Sequence, residues 1–193
     1  MLHHLRLIVS VSSIGTLVLA QTITFNLPLP RNSALRIPAN EKLKFLTVGT
    51  GVQLYKCNSS ALVWTNFAAE ATLLDASQDK DPESLPERLM KGGSNTATRP
   101  MGRHFFTKDA KPVPVFEING QQIMEAKVAS TKSPGKPERN INWLQLRTIS
   151  GSFAKSVFRT ATRGGQLSGK CTSADVKQPP KQVKYAALVS FLH

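Results

Sequence analysis

From residue 43 onward the apolar positions fall in short runs rich in β-branched and aromatic residues, not at helical spacing. The runs cover 43–48, 52–55, 62–67, 71–74, 113–118, 122–128, 141–146, 153–160 and 183–191. Most are bounded by Gly, Pro, Asn, Asp or Ser, which favour turns, so they read as strands. Asn119-Gly120 between two runs is the strongest hairpin signal, because both residues tolerate positive φ. The pattern predicts an all-β fold, a single-domain antiparallel β-sandwich or barrel with a long loop insertion. Ser84 to Lys91, with Pro86 in its first turn, is the one candidate short helix.

What lies outside the runs sets the domain limits. Residues 1–20 read as a signal peptide: a basic start ending at Arg6, an apolar stretch from Leu7, and small residues at Val18 and Ala20. The stretch is too short, and too interrupted by Ser10, Ser12, Ser13, Gly15 and Thr16, for a transmembrane anchor, which needs roughly twenty residues. Residues 21–42, with Pro28, Pro30 and Pro38, read as an extended N-terminal arm. Residues 43–193 form the β domain, interrupted by a charged, Pro- and Gly-containing segment at 76–102 that reads as a mobile insertion, and by a second loop at 130–140.

Export bears on the chemistry. In an oxidising compartment Cys57 and Cys171, the two cysteines of the chain, are candidates for one disulfide, with two free thiols as the alternative. Asn58-Ser59-Ser60 is an N-glycosylation acceptor in a eukaryotic host. Charge is the clearest functional lead. The 193 residues hold 25 Lys and Arg against 12 Asp and Glu. The excess is greatest after residue 140, where Asp175 alone opposes eight basic residues. Arg147, Lys155, Arg159, Arg163 and Lys184 are the candidate binding residues for an acidic polysaccharide or an anionic cell-surface component. Nucleic acid is not expected, since neither zinc-finger spacing nor an aromatic RNA-recognition motif is present.

Catalytic signatures are sparse. His104 and Glu117 form the one candidate acid/base pair near apolar sequence, because His3 and His4 leave with the leader and His193 is terminal. They would serve a hydrolase or lyase acting on wall polymer. Asp75, Asp109 and Glu125 are further carboxylates, and Trp64, Trp143 and Phe116 are candidates for a sugar platform or for core. No metal-ligand spacing and no cofactor are expected. Gly49-Thr50-Gly51 lacks the third glycine of a dinucleotide fingerprint, Leu54 standing there, and reads as a glycine turn joining two strands.

An ordered set of motifs carries a family resemblance. It opens with Leu46-Thr47-Val48-Gly49-Thr50-Gly51-Val52-Gln53-Leu54-Tyr55-Lys56-Cys57, then Trp64, Ala71-Thr72-Leu73-Leu74-Asp75 and Gly102-Arg103-His104-Phe105. Phe116-Glu117-Ile118-Asn119-Gly120, Ile141-Asn142-Trp143-Leu144-Gln145-Leu146 and Gly151-Ser152-Phe153 follow. Val157-Phe158-Arg159, Gly164-Gly165, Cys171 and Val183-Lys184-Tyr185-Ala186-Ala187 complete it. Together these resemble the secreted fungal and bacterial family known as domain of unknown function 3455. The resemblance implies a Cys57–Cys171 pairing and places His104, Glu117, Trp143 and Arg159 at positions of the family pattern. The chain departs from that pattern in the length of 76–102, in Phe116 where Trp is usual, and in its reduced aromatic ending. Some members carry the label malate dehydrogenase; the missing cofactor fingerprint and the lack of a βαβ pattern argue against a NAD-dependent enzyme here. The expectation is a secreted, non-catalytic wall or host-surface protein, with a fungal effector role among its forms.

Overall fold

The computed structural model describes residues 27, 29–30, 32–93 and 99–193. The expected signal peptide at 1–20 and most of 21–31 lie outside these residues. Eight strands run in chain order: β1 (Leu43–Asn58), β2 (Val63–Asp75), β3 (Pro100–Phe106), β4 (Pro114–Ile118), β5 (Gln121–Thr131), β6 (Trp143–Ser150), β7 (Ser156–Gly164) and β8 (Lys181–Leu192). Each pairs antiparallel with the next, and β8 returns to β1, so the sheet closes into a barrel. The all-β expectation holds, and of its two forms the barrel is the one adopted. Closure leaves neither β1 nor β8 with an open edge.

The turns follow their residues. Asn119 and Gly120 have φ of 49° and 79°, the left-handed pair of a two-residue hairpin, and join β4 to β5. Asn58 Oδ1 accepts from the backbone N–H of Ser60 and of Ala61, closing the β1–β2 turn. The Cys57–Cys171 disulfide is formed, with Cα atoms 5.9 Å apart and a sequence separation of 114. A loop of that length stabilises the fold by about 4–5 kcal/mol in the chain-entropy model.

Alternation along β1 and β8 divides the inside of the barrel from the outside. Phe45, Gly49, Gln53 and Tyr55 of β1 and Tyr185, Val189 and Phe191 of β8 face inward. The outward residues Leu46, Val48 and Leu188 are buried too, under a short helix α1 (Leu85–Met90) that lays Leu85 and Leu89 on them. Arg163 on β7 holds this helix through Glu87, with Nε 3.1 Å from the carboxylate. On the neighbouring outer surface Leu35, Leu27 and Leu29 of the N-terminal segment cover Trp143, Phe158 and Leu192. β8 is therefore buried on both faces, which explains why Tyr185 to Leu192 reads as almost continuous apolar sequence.

Three expectations need correction. Gly49-Thr50-Gly51 is no turn: both glycines lie inside β1, and the predicted runs 43–48 and 52–55 are one strand. A Cβ on Gly51 would sit 1.9 Å from the Glu70 carbonyl oxygen, so glycine there permits the backbone of β2 to approach. Runs 62–67 and 71–74 likewise merge into β2. The 76–102 segment is not a free loop as far as it is described. Its helix packs Leu85 against the barrel at 0% exposure, and its end belongs to β3, which no run predicted. Short apolar pieces around Gly102, Arg103 and His104 hid that strand.

Gly51→Ala should lower stability to chemical denaturation by at least about 2 kcal/mol, because backbone must move to admit the methyl. Gly49→Ala is the matched control. Its Cβ would meet the ends of Leu73 and Val189 at 3.4 and 3.6 Å, and its cost should stay below about 1 kcal/mol.

Candidate functional site

Side-chain size grades along the inside of the barrel. At one end Phe45, Phe116, Phe153 and Phe191 meet in edge-to-face and tilted contacts, with ring centroids 5.4–6.5 Å apart, and close the interior. Towards the other end Gly49 on β1, Ala71 on β2 and Ala187 on β8 replace bulky groups, and a cavity of about 490 Å³ opens. Leu73, His104, Phe116, Leu146 and Val189 form its buried floor, and exposed Asn66, Lys127, Ser130 and Asn142 stand at its mouth. The volume suits one small organic molecule.

Arg159 is the principal charge of this lumen. On β7 it is paired with Leu144 of β6 and Val189 of β8, both cavity residues. Its Nε and Nη2 donate to the Asn142 carbonyl at 3.2 and 2.9 Å. No Asp or Glu lines the cavity, and among the described residues none forms an ion pair with Arg159. Desolvation lowers its pKa from the ordinary value. Burial raises the pKa of Tyr55 and of Tyr185, and the positive Arg159 offsets part of each rise. Tyr55 donates its hydroxyl to the Gly165 carbonyl at 2.7 Å. Gln53 lines the cavity at 2% exposure; its side chain bears on the Tyr185 hydroxyl and lowers that group's pKa, and its Nε2 makes no other hydrogen bond.

His104 contributes a neutral imidazole. Its Nδ1 lies 2.9 Å from the Val115 carbonyl oxygen, an acceptor only, so Nδ1 carries the proton. Burial depresses its pKa to about 4, the Val115 bond opposing and the charge of Arg159 adding to the shift. The ring stacks on Phe116 with centroids 4.2 Å apart.

Glu117 does not join it. His104 pairs with Phe116 across β3 and β4 while Arg103 pairs with Glu117, so strand parity puts Glu117 on the other side of the sheet from His104. There it accepts from Gln122 Nε2 at 2.7 Å and Arg103 Nη2 at 3.1 Å, and these bonds lower its pKa. The expected acid/base pair is therefore not assembled. Asp75 sits 3.8 Å from Arg99, Asp109 is exposed between β3 and β4, and Glu125 is buried in β5. Among the described residues no group of three or more His, Cys, Asp and Glu side chains converges as a metal site.

The five basic residues proposed for a common surface are divided. Arg159 faces the lumen and Arg163 pairs with Glu87. Exposed Arg147 and Lys155 border one recess with Glu41 and His193. Lys155 donates its backbone N–H to Leu192, eight residues along β8 from Lys184, or roughly 26 Å of strand. Trp64 lies outside under Lys181, 4.1 Å from the ring centroid, and Trp143 lies under the N-terminal segment, so neither forms a lumen platform; Phe116 does line it. Asn58 is exposed in its turn. Sequence reasoning missed Gln53, Tyr55 and Tyr185. The signal was there in part, since the chain has two tyrosines and both fall at inward positions of β1 and β8.

Glu125 is a second neutralised group. Thr148 Oγ1 is 2.8 Å from the Ala154 carbonyl and 2.7 Å from Glu125 Oε1. The one hydroxyl hydrogen of Thr148 is shared between these two acceptors, so Glu125 receives at most a partial hydrogen bond for its buried carboxylate. Burial raises its pKa to about 7, Thr148 opposing.

Residues 38–193 match the family model described as "Protein of unknown function (DUF3455)". The chain belongs to that family. No curated protein and no solved structure matches it.

The two neutral groups act oppositely on stability. Glu125, raised from 4.5 to about 7, contributes most below pH 4.5 and loses that contribution as pH rises through 7. His104, lowered from 6.5 to about 4, contributes most above pH 6.5 and loses it as pH falls through 4. Each shift is worth about 3 kcal/mol, so the wild type should be nearly flat between these limits. Glu125→Gln should unmask a stability that rises from about pH 4 to 6.5, the window of His104, read by denaturant unfolding at several pH values. An unchanged slope would show that Glu125 is already ionised in the folded chain.

Proposed function

We propose that this member of the DUF3455 family is an exported, non-catalytic binding protein whose barrel lumen takes up one small organic anion with an apolar body. The single observation that carries the reading is Arg159, a guanidinium in the cavity wall with no acid beside it. Arg159 is half-buried, so water solvates its charge incompletely, and a bound anion would supply the missing partner. Gln53, beside the Tyr185 hydroxyl, adds a buried amide donor, and Lys127 at the mouth has the same sign as Arg159. Leu73, Leu144, Leu146, Val189 and Phe116 offer the apolar contact expected of a ligand pocket. The leader pattern and the disulfide support export. No helix among the described residues is long and apolar enough to cross a membrane.

The anionic partner read from charge alone is thus narrowed. A cavity of about 490 Å³ admits a small acid, or the acidic end of a wall glycan, but not a polymer chain. Surface binding of an acidic polysaccharide has one separate support, the shared recess of Arg147 and Lys155. Salt separates the two readings. An exposed contact weakens steeply with ionic strength, whereas a contact inside the lumen is screened much less.

The test is calorimetric titration of the oxidised mature protein with small aromatic and aliphatic acids and with their amides. Acids should bind at least tenfold tighter than amides, and Arg159→Gln should remove the difference while leaving the fold intact by circular dichroism. Equal binding of acid and amide, or a preference that survives in Arg159→Gln, would overturn the reading.

A further inference from the structure

We infer that the lumen's ligand carries a hydroxyl on its apolar body as well as an anionic group, and that His104 Nε2 accepts that hydroxyl's hydrogen. The inference rests on the lumen reading above and deepens it. Val115 fixes the tautomer: its carbonyl at 2.9 Å can only accept, so the proton is on Nδ1 and the lone pair on Nε2. A proton on both nitrogens is disfavoured by burial and by the charge of Arg159. The ring cannot readily turn to change this. Phe116 stacks on it at 4.2 Å with planes 15° apart, and Phe106 leans against it at 5.4 Å.

Nε2 has no hydrogen-bond donor among the described residues, although His104 is 8% exposed and lines the cavity. Arg159 and Gln53 Nε2 offer hydrogens and His104 Nε2 offers a lone pair, so the cavity has two poles of opposite demand. A carboxylate placed at His104 would face that lone pair and be repelled, whereas the same carboxylate at Arg159 and Gln53 meets donors. The ligand's orientation follows: acid toward Arg159, hydroxyl toward His104, and carbon skeleton against the leucines and Val189 between them. A sugar acid would leave most of its hydroxyls facing apolar wall, so the fitting class is a hydroxylated aromatic or aliphatic acid, rich in carbon relative to hydroxyls.

The probes are 4-hydroxycinnamate, cinnamate and 4-methoxycinnamate, with the corresponding benzoates and the amide of each acid, titrated into the oxidised mature protein near pH 6.5. The hydroxylated acid should bind roughly three- to tenfold tighter than the unsubstituted acid and the methyl ether, which cannot donate. His104→Phe should erase that margin and keep the preference for acid over amide. Should the variant not fold, nitrogen-15 spectra of the wild-type imidazole replace it: the Nε2 resonance should shift with 4-hydroxycinnamate and stay still with cinnamate. Acids preferred over amides but with equal affinities for the three would overturn the hydroxyl and leave the anion reading standing. No preference for acid over amide in any series would overturn both.

Discussion

The ladder between β1 and β8 is the constraint on which the rest depends. It sets Phe45 opposite Phe191, Gly49 opposite Ala187 and Gly51 opposite Tyr185, joining the last strand to the first. A slip of one residue would exchange every inward side chain for an outward one, removing the aromatic plug and the lumen polar groups together. The slip is opposed from both sides of β8, since Leu188 and Leu192 are needed outside, under α1 and the N-terminal segment, as much as Val189 and Phe191 are needed inside. The disulfide adds a tie at the far end of β1, holding the loop that precedes β8.

Given that register, the cavity follows from side-chain volume. Four phenylalanines close one end, and glycine and alanine on neighbouring strands leave the other end unfilled. The positions that could have held more Leu or Val carry Gln53, Tyr55, His104, Arg159 and Tyr185 instead. An eight-stranded barrel can fill its interior with side chains alone, so a half-filled one is a property of this sequence and not of the strand number. The polar groups are also placed unevenly. Tyr55 and His104 Nδ1 are engaged with main-chain carbonyls, while Gln53 Nε2 has nothing beyond the neighbouring Tyr185 hydroxyl.

Fold class, the Asn119-Gly120 hairpin and the short helix with Pro86 in its first turn were legible because each depends on local chemistry, and the disulfide because two cysteines allow one intramolecular pairing. What escaped depends on neighbours distant in sequence. Gly49 and Gly51 resemble turn residues until β2 is known to press against Gly51. β3 has too few consecutive apolar residues to announce itself, and it gains strand geometry from pairing with β2 and β4. For the site, composition pointed to Arg159 and spacing pointed to His104, but neither could say that both face one lumen while Glu117 faces away. That division is a matter of parity, and parity requires the register. The charge count misled in a related way: it summed Arg159, paired Arg163 and two distant surface regions as though they shared a face.

Three ionisable side chains of the interior show how differently such groups can be accommodated. Burial favours the neutral forms of His104 and Glu125, one giving up a proton and the other keeping it; neutral His104 donates from Nδ1 to a main-chain carbonyl, and Glu125 has the Thr148 hydroxyl beside it. Arginine has no such route, because its pKa stays far above neutrality even when lowered by desolvation. Its charge remains, and the Asn142 carbonyl offers it a dipole but not a countercharge. Packing does not account for the choice either, since an apolar side chain in such a position is commonly as stable or more so. An Arg159 required only for folding would be expected to sit beside an acid, as Arg163 does beside Glu87 and Arg103 beside Glu117. Among the described residues Arg88, Arg99, Arg103 and Arg163 pair with acids, Arg36, Arg139 and Arg147 do not, and Arg159 differs from all of these in lining the lumen cavity, where an incoming anion would supply the partner.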